Sequence, residues 1–303
     1  METILIDTDP GVDDSIALAT ACAAGMPVTG IATVFGNAGI DDTTRNACTI
    51  LEVMKSDIPV YRGAARPLAG EPVLPVSHGE NGMGGFRLAK LRKKPEVESA
   101  IAWYLRTLES ATVPVTVVCL GPVTNIALVS ILRPDLADRI GELVILGGVF
   151  RGGGNMTPVA EFNTLNDPLA LAHAVSLRCP RTIIPLEVCR KVLFTKQDFD
   201  VVMNRRLRET FTRITGVFIR YYTSDDEYAG FAGAVMYDLL AMAYLLESEL
   251  FRFDDADVAV ETTSPLTRGQ TIRLPTRENP CRIATFVDAD GVKQVFRDAV
   301  NRV

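Results

Sequence analysis

The stretch ILIDTDPGVDDSIAL, residues 4–18, sets Asp7, Asp9, Asp13 and Asp14 directly behind a short apolar run. The run reads as a buried strand. Pro10 and Gly11 favour a turn at its end, and Asp13 and Asp14 then fall in the first turn of a helix, whose N-terminal partial charge suits carboxylates. Outward from this opening the alternation repeats: VTGIATVF then DDTTRNACTILEVMKS, VPVTVVCLG then PVTNIALVSIL, ELVILGG then DPLALAHAVSL, and RTIIPLE. These strand-like runs show little two-residue alternation, the pattern of central parallel strands covered on both faces. We expect an α/β fold: one domain over residues 1–303, a doubly wound and mostly parallel sheet with helices on both faces. VAVETT, TIRL and CRIATFV, with a closing helix, extend the same domain. In such sheets ligands bind beyond the carboxyl ends of the strands, so chemistry is expected just after each strand.

The chain has 303 residues, 48% of them hydrophobic and 22% charged, enough to bury a large core. Its 31 basic and 37 acidic side chains leave a net charge of −6, which disfavours a nucleic-acid groove and favours a small-molecule partner. The basic runs NRRLR (204–208) and RKK (92–94) read as solvated faces. The six cysteines are scattered without a C-x-x-C pair, as in a reducing compartment. No stretch approaches the ~18 apolar residues of a membrane span, and the first strand begins almost at Met1. A cytoplasmic protein with no membrane partner is expected.

Three stretches break the strand–helix rhythm: 62–88, 151–167 and 221–238, each rich in glycine or aromatics and long enough to fold over a site. Helix capping accounts for one or two of the opening aspartates. Four converging carboxylates repel one another at low dielectric unless protonated or metallated. Their all-oxygen character suits a hard cation, Ca²⁺ or Mg²⁺, over zinc. A strand-end D-x-D also opens the aspartyl-phosphate phosphatases, which carry Thr or Val two residues after the second Asp; here Gly11 stands there and the chain continues GVDD.

DTDPGVDDSIAL, VFGN (34–37), SHGENGMGG (77–85), LGPVTNIAL (120–128) and GNMTPVAEFN (154–163) together resemble the inosine-uridine nucleoside hydrolases in order and spacing, from the first strand to about residue 250. The resemblance implies Ca²⁺-dependent hydrolysis of the N-glycosidic bond of ribonucleosides, releasing ribose and base in nucleoside salvage. It implies Asp9, Asp14, the main-chain carbonyl of Leu120 and Asp238 as metal ligands. Asp9 would also be the general base, and Asp13 would hold a ribose hydroxyl. Asn37, Asn155, Glu161 and Asn163 match positions that bind the sugar, and a homodimer or homotetramer is implied by likeness. His78 matches a loop histidine and is expected to meet the base or the ribose 5′ end. His173, inside ALAHAV, reads as a packed helix residue.

Two departures concern the base end. Many members carry His directly before the last metal-binding Asp, where this chain has Tyr237, and EVCRK (187–191) stands where D-V-T is usual. A phenol donates a hydrogen bond or stacks on a ring, but it matches a neutral-pH proton shuttle poorly. Tyr237, His78, or an aromatic such as Tyr221, Tyr222, Tyr228 or Phe231 is expected to assist the departing base. The rival reading is a metal-dependent nucleoside- or ribose-binding protein without turnover.

Overall fold

In the computed structural model, which describes residues 3–224, 231–276 and 278–303, the opening run is β1 (Thr3–Thr8) and the aspartate-led segment is α1 (Val12–Ala24). The chain continues through β2 (Val28–Thr33), α2 (Ile40–Val53), β3 (Val60–Arg62), α3 (Ala100–Ser110), β4 (Val115–Cys119), α4 (Thr124–Leu132) and β5 (Ile140–Leu146). There follow α5 (Phe162–Asn166), α6 (Pro168–Ala174), β6 (Arg181–Ile184), α7 (Leu186–Cys189), β7 (Leu193–Phe194), α8 (Lys196–Asp200) and α9 (Arg205–Ser224). The last part holds β8 (Ala234–Val235), α10 (Leu239–Leu246), β9 (Phe251–Val260), β10 (Thr271–Leu274), β11 (Cys281–Val287) and α11 (Ala289–Val300).

Nine strands form one sheet in the order β10-β9-β11-β6-β5-β4-β1-β2-β3. It is parallel from β11 to β3, and β9 and β10 add antiparallel strands at one edge. Because β1 lies between β2 and β4, the chain winds outward from it in both directions, and the crevice beyond β1 and β4 is the switch point where α/β sheets take ligands.

Both faces are covered, as the near-continuous apolar strands require. Ile4 and Ile6 of β1 pack into a core shared with α1, α2, α9, α10 and α11. Leu5, between them, joins the opposite core with Trp103 and Tyr104 of α3 and Ile126 and Ala127 of α4. Each β1 side chain from Ile4 to Thr8 is buried, so a strand with apolar residues on both faces is the stable choice.

The structure departs from the sequence reading in places with clear physical causes. β3 is too short to carry a periodic signal. The helix α3 was legible in principle: Ala100, Trp103, Tyr104 and Leu108 are its buried residues, at helical spacing, behind the N-cap Ser99. The stretch expected as a loop from 221 begins inside α9, because the buried series Phe211, Ile214, Thr215, Phe218 and Tyr222 carries the apolar face through Tyr222.

Candidate active site

The β1–α1 turn supplies Asp9 and Asp13 to a cavity of about 280 Å³ at the switch point. Asn37 enters from the segment after β2, His78 from the 62–88 loop, Leu120 from the end of β4, and Tyr237 and Asp238 from the approach to α10. Asn155, Glu161 and Asn163, all beyond β5, complete the polar wall. Ten of the eleven residues expected at the site line this one cavity, and Asp14 lies fully buried beside it. Every contributing strand delivers its residues at its carboxyl end.

Oxygens of Asp13, Asp14 and Asp238 lie within 4.8 Å of one another, each acid buried. Asp14 is fixed by Gly11 N–H (2.9 Å) and by Asn37 Nδ2 (2.9 Å). Asp9 Oδ2 accepts from Asn37 N–H at 2.8 Å. Burial first, and the charge of Asp14 second, push the Asp9 and Asp13 carboxyls well above the usual carboxylate range. Asp238 is raised in the same way by burial, then by Asp13 and Asp14. Asp13 Oδ1 is buried and takes no hydrogen bond from the described residues. An oxygen-only donor set with an unsatisfied inward-facing atom fits a hard divalent cation, which would return these groups to carboxylates. The aspartate cluster can therefore hold a metal ion, and the Leu120 carbonyl, which accepts from Asn163 Nδ2 at 2.7 Å, keeps a second lone pair for one.

The fourth aspartate behaves differently from the expectation of four converging acids. Asp7 follows Leu5 onto the opposite face, where Tyr104 Oη donates to Oδ2 and Asn125 Nδ2 to Oδ1, both at 3.1 Å. Burial raises its carboxyl to about 7 against those two bonds. Asp7 lies inside β1 and Asp9 beyond its last residue, Thr8, so the end of the strand separates the two acids.

The sugar-side candidates also have structural duties. Glu161 caps α5, accepting from Asn163 N–H (2.8 Å) and Thr164 N–H (3.0 Å), and also takes Gly148 N–H at 3.1 Å. Asn155 Oδ1 accepts Phe162 N–H at 2.9 Å. His78 Nδ1 accepts Val12 N–H at 3.1 Å, so the ring is the neutral Nε2–H tautomer, and burial pulls its pKa down to about 4. His173 meets Ser130 Oγ at 2.9 Å between α6 and α4, outside the cavity.

The cavity also has an aromatic and apolar lining. Tyr221 and Tyr222 line it with Tyr237, and Phe231, which does not line the cavity itself, stacks on the Tyr222 ring. Tyr228 lies outside the described residues. The sequence reading did not single out the apolar lining: Leu74 and Val76 from the 62–88 loop, Met156, Ile184 at the end of β6 and Leu186 just beyond it. The signals were the two loop stretches expected over a site and the strand-end position of Ile184 and Leu186.

A family description, inosine-uridine preferring nucleoside hydrolase, matches residues 4–294. The chain belongs to that family. It is thus a ribonucleoside hydrolase, an enzyme that cleaves the bond between base and sugar. This hydrolase is 36% identical over 301 residues to the non-specific ribonucleoside hydrolase RihC of Salmonella paratyphi A, covering 96% of this chain and 95% of that one. Among solved structures it superposes on a purine-preferring ribonucleoside hydrolase from Gardnerella vaginalis with a TM-score of 0.91 at 25% identity, over 100% of both chains. An inosine-guanosine nucleoside hydrolase gives 0.88 at 27% identity, over 100% of this hydrolase and 99% of the other. No helix among the described residues is long and apolar enough to cross a membrane.

Proposed function

We propose that residues 1–303 form one calcium-dependent ribonucleoside hydrolase domain serving nucleoside salvage, with purine and pyrimidine ribonucleosides as substrates. The observation that carries this is the single cavity that joins buried, crowded carboxylates to a wall of tyrosines. A polar end of this kind grips a furanose diol, and an aromatic end accepts a planar base.

Asp9, Asp14, Asp238 and the Leu120 carbonyl are the proposed ligands of Ca²⁺, with Asp13 turned to a ribose hydroxyl. When bound, the cation supplies orientation of water and sugar more than acidity, since Ca²⁺ polarises its ligands weakly. Asp9 takes the proton of the attacking water, its carboxylate held in place by the Asn37 N–H at Oδ2 (2.8 Å). Asn37, Asn155, Glu161 and Asn163 bind and orient the sugar. As the C1′–N bond breaks, the acids around the ribose stabilise the positive charge developing on the ring. His78, neutral by its bond from Val12, offers Nε2–H to the substrate, and Tyr237 faces the departing base.

The test is release of free ribose from inosine, uridine and a panel of modified nucleosides, with Ca²⁺ added after chelation. Ribose release restored by Ca²⁺ supports the reading. Nucleoside binding with no ribose released would instead make this a binding protein, and phosphate released from phosphomonoesters with Mg²⁺ would make it a phosphatase. A homodimer or homotetramer is the proposed assembly; the exposed Ile272 and Leu274 of the edge strand β10 and the exposed Phe286 of β11 support it, and light scattering of the pure protein tests it. A cytoplasmic location is proposed from the six unpaired cysteines.

A further inference from the structure

Tyr222 and Tyr237 are fifteen residues apart in sequence, yet their hydroxyls meet at 2.5 Å in the wall of the cavity. Tyr222 is the buried member, 3% exposed, near the end of α9. Its ring is held edge-on to Phe218 at 4.9 Å and near-parallel to Phe231 at 6.3 Å, and Phe218 in turn packs against His78 at 4.7 Å. Its hydroxyl is therefore aimed by packing on several sides. Tyr237 is half-buried, adjoins Asp238, and its main-chain N–H reaches the Asp13 carboxylate. One backbone position thus links the crowded acids to a phenol in the cavity wall.

We propose that Tyr222 is a positioning residue which, by donating to Tyr237 Oη, makes the two phenols one hydrogen-bond donor unit at the leaving-group end; this rests on the hydrolase reading above. When Tyr222 donates in this contact, the Tyr237 proton is not the one shared between the two rings. The accepting hydroxyl is the better donor for being polarised, and a low-dielectric wall strengthens the effect. In the reaction the C1′–N bond breaks with its electron pair passing to the base. That pair is met by the Tyr237 proton, while water delivers hydroxide to C1′ and its own proton to Asp9. Exchange with solvent then returns a proton from Asp9 to the phenols, so the net change is one water consumed for one N–glycosidic bond. Because a phenol pair recognises any acceptor on a base edge, the unit suits purines and pyrimidines alike and needs no single base geometry.

The test compares the wild type with Y222F, Y237F and Y222F/Y237F on inosine, uridine and p-nitrophenyl β-D-ribofuranoside, whose leaving group departs without help. Phenylalanine keeps each ring and removes only its oxygen. Expected for Y222F is a fall in kcat of about tenfold or more on inosine and uridine, with KM within about twofold, and a far smaller fall on the nitrophenyl riboside. The double variant should be no slower on inosine than Y237F alone, because the two oxygens act as one. A loss in Y222F equal on all three substrates would mean Tyr222 only packs, and would overturn the proposal. Wild-type rates in Y222F, or additive losses in the double variant, would overturn it as well. A wild type that releases ribose from neither nucleoside while cleaving no riboside would defeat the hydrolase reading and this inference together, an outcome distinct from the others.

Discussion

Replacing Gly11 by alanine probes how tightly the opening turn and the loop histidine are built into one object. The Gly11 backbone is extended, φ −100° and ψ −152°, so alanine brings no backbone penalty of its own. A Cβ there would stand 2.5 Å from His78 Nδ1 and 2.7 Å from Asn37 Nδ2, where ordinary contact is 3.4–4 Å. His78 must therefore withdraw by about 0.9 Å. That loosens the Val12 N–H bond to His78 (3.1 Å) and the Asn37 bond to Asp14 (2.9 Å), both buried. Overpacking costs about 1–3 kcal/mol, and a weakened buried hydrogen bond adds to it, so about 2–4 kcal/mol is expected. For a chain of this size that is a fall in Tm of about 4–8 °C. Catalysis should suffer more, since a shift near 1 Å in a positioning group costs about 10²-fold. Gly25→Ala is the control: φ is +68° and nothing lies within 4 Å, so it should lose about 1–2 kcal/mol for the left-handed backbone and no activity. Melting curves and inosine hydrolysis on both variants decide the matter. The reasoning fails if G11A keeps kcat/KM within about threefold of wild type, or if G25A loses activity to the same extent.

Asp9→Asn should reduce turnover by at least about 10²-fold while nucleoside binding, read by calorimetry, partly survives; full activity would reject Asp9 as the base. Chelation should lower Tm and abolish ribose release, and Ca²⁺ at about a hundred times its Kd should restore about 2.7 kcal/mol, with Mg²⁺ less effective; a Tm indifferent to chelator would remove the cation from the account. His78 has a folded pKa of about 4, below its ordinary 6.5, so the unfolded chain takes up the proton first as pH falls. Its contribution is then fully present above pH ~6.5 and is lost between there and about 4, at most about 3 kcal/mol. Nitrogen chemical shifts of the labelled ring should stay those of the neutral Nε2–H form down to pH 5, and a midpoint near 6.5 would refute the buried acceptor role.

The fold was legible because burial on both faces leaves a strong mark: β2, β4 and β6 lie within runs read as apolar strands, and β1 and β5 overrun theirs by one and two residues. The site was legible mainly through the family resemblance, which singled out Asp9, Asn37, Leu120 and Asn163, and all four line one cavity beyond the carboxyl ends of the strands, where the fold rule places chemistry. What stayed hidden depends on distance in sequence. Nothing local joins Tyr222 to Tyr237 or Val12 to His78, and no periodicity reports on loop-borne apolar lining such as Leu74 and Val76. Threonine and asparagine in LGPVTNIAL were equally silent about their partners: Thr124 Oγ1 donates to Asp167 at 2.7 Å, and Asn125 to Asp7.

Those partners explain why the opening stretch spends an aspartate away from the cavity. Asn125 Nδ2 donates both to Asp7 and to the Thr33 carbonyl (3.1 Å each), and its Oδ1 accepts Ala64 N–H at 2.8 Å. Tyr104 of α3 closes the set on the other carboxyl oxygen of Asp7. The ends of β1 and β2, the starts of α4 and of the 62–88 loop, and α3 are thus tied through one side chain. A leucine at position 7 would bury more comfortably, yet it would leave the Asn125 amide and the Tyr104 hydroxyl each short of an acceptor in a place water cannot reach, a loss of about 1–3 kcal/mol apiece. The neighbouring β4 end is held by the main chain, Leu120 N–H bonding the residue 7 carbonyl at 2.8 Å, so that bond outlasts the substitution. The two acids of D-x-D therefore divide at the end of β1, into a scaffold carboxyl inside the strand and a cavity-lining one in the turn beyond Thr8. The placement of Asp9 is only as sharp as the hydrogen bonds on the far side of the sheet that hold Asp7.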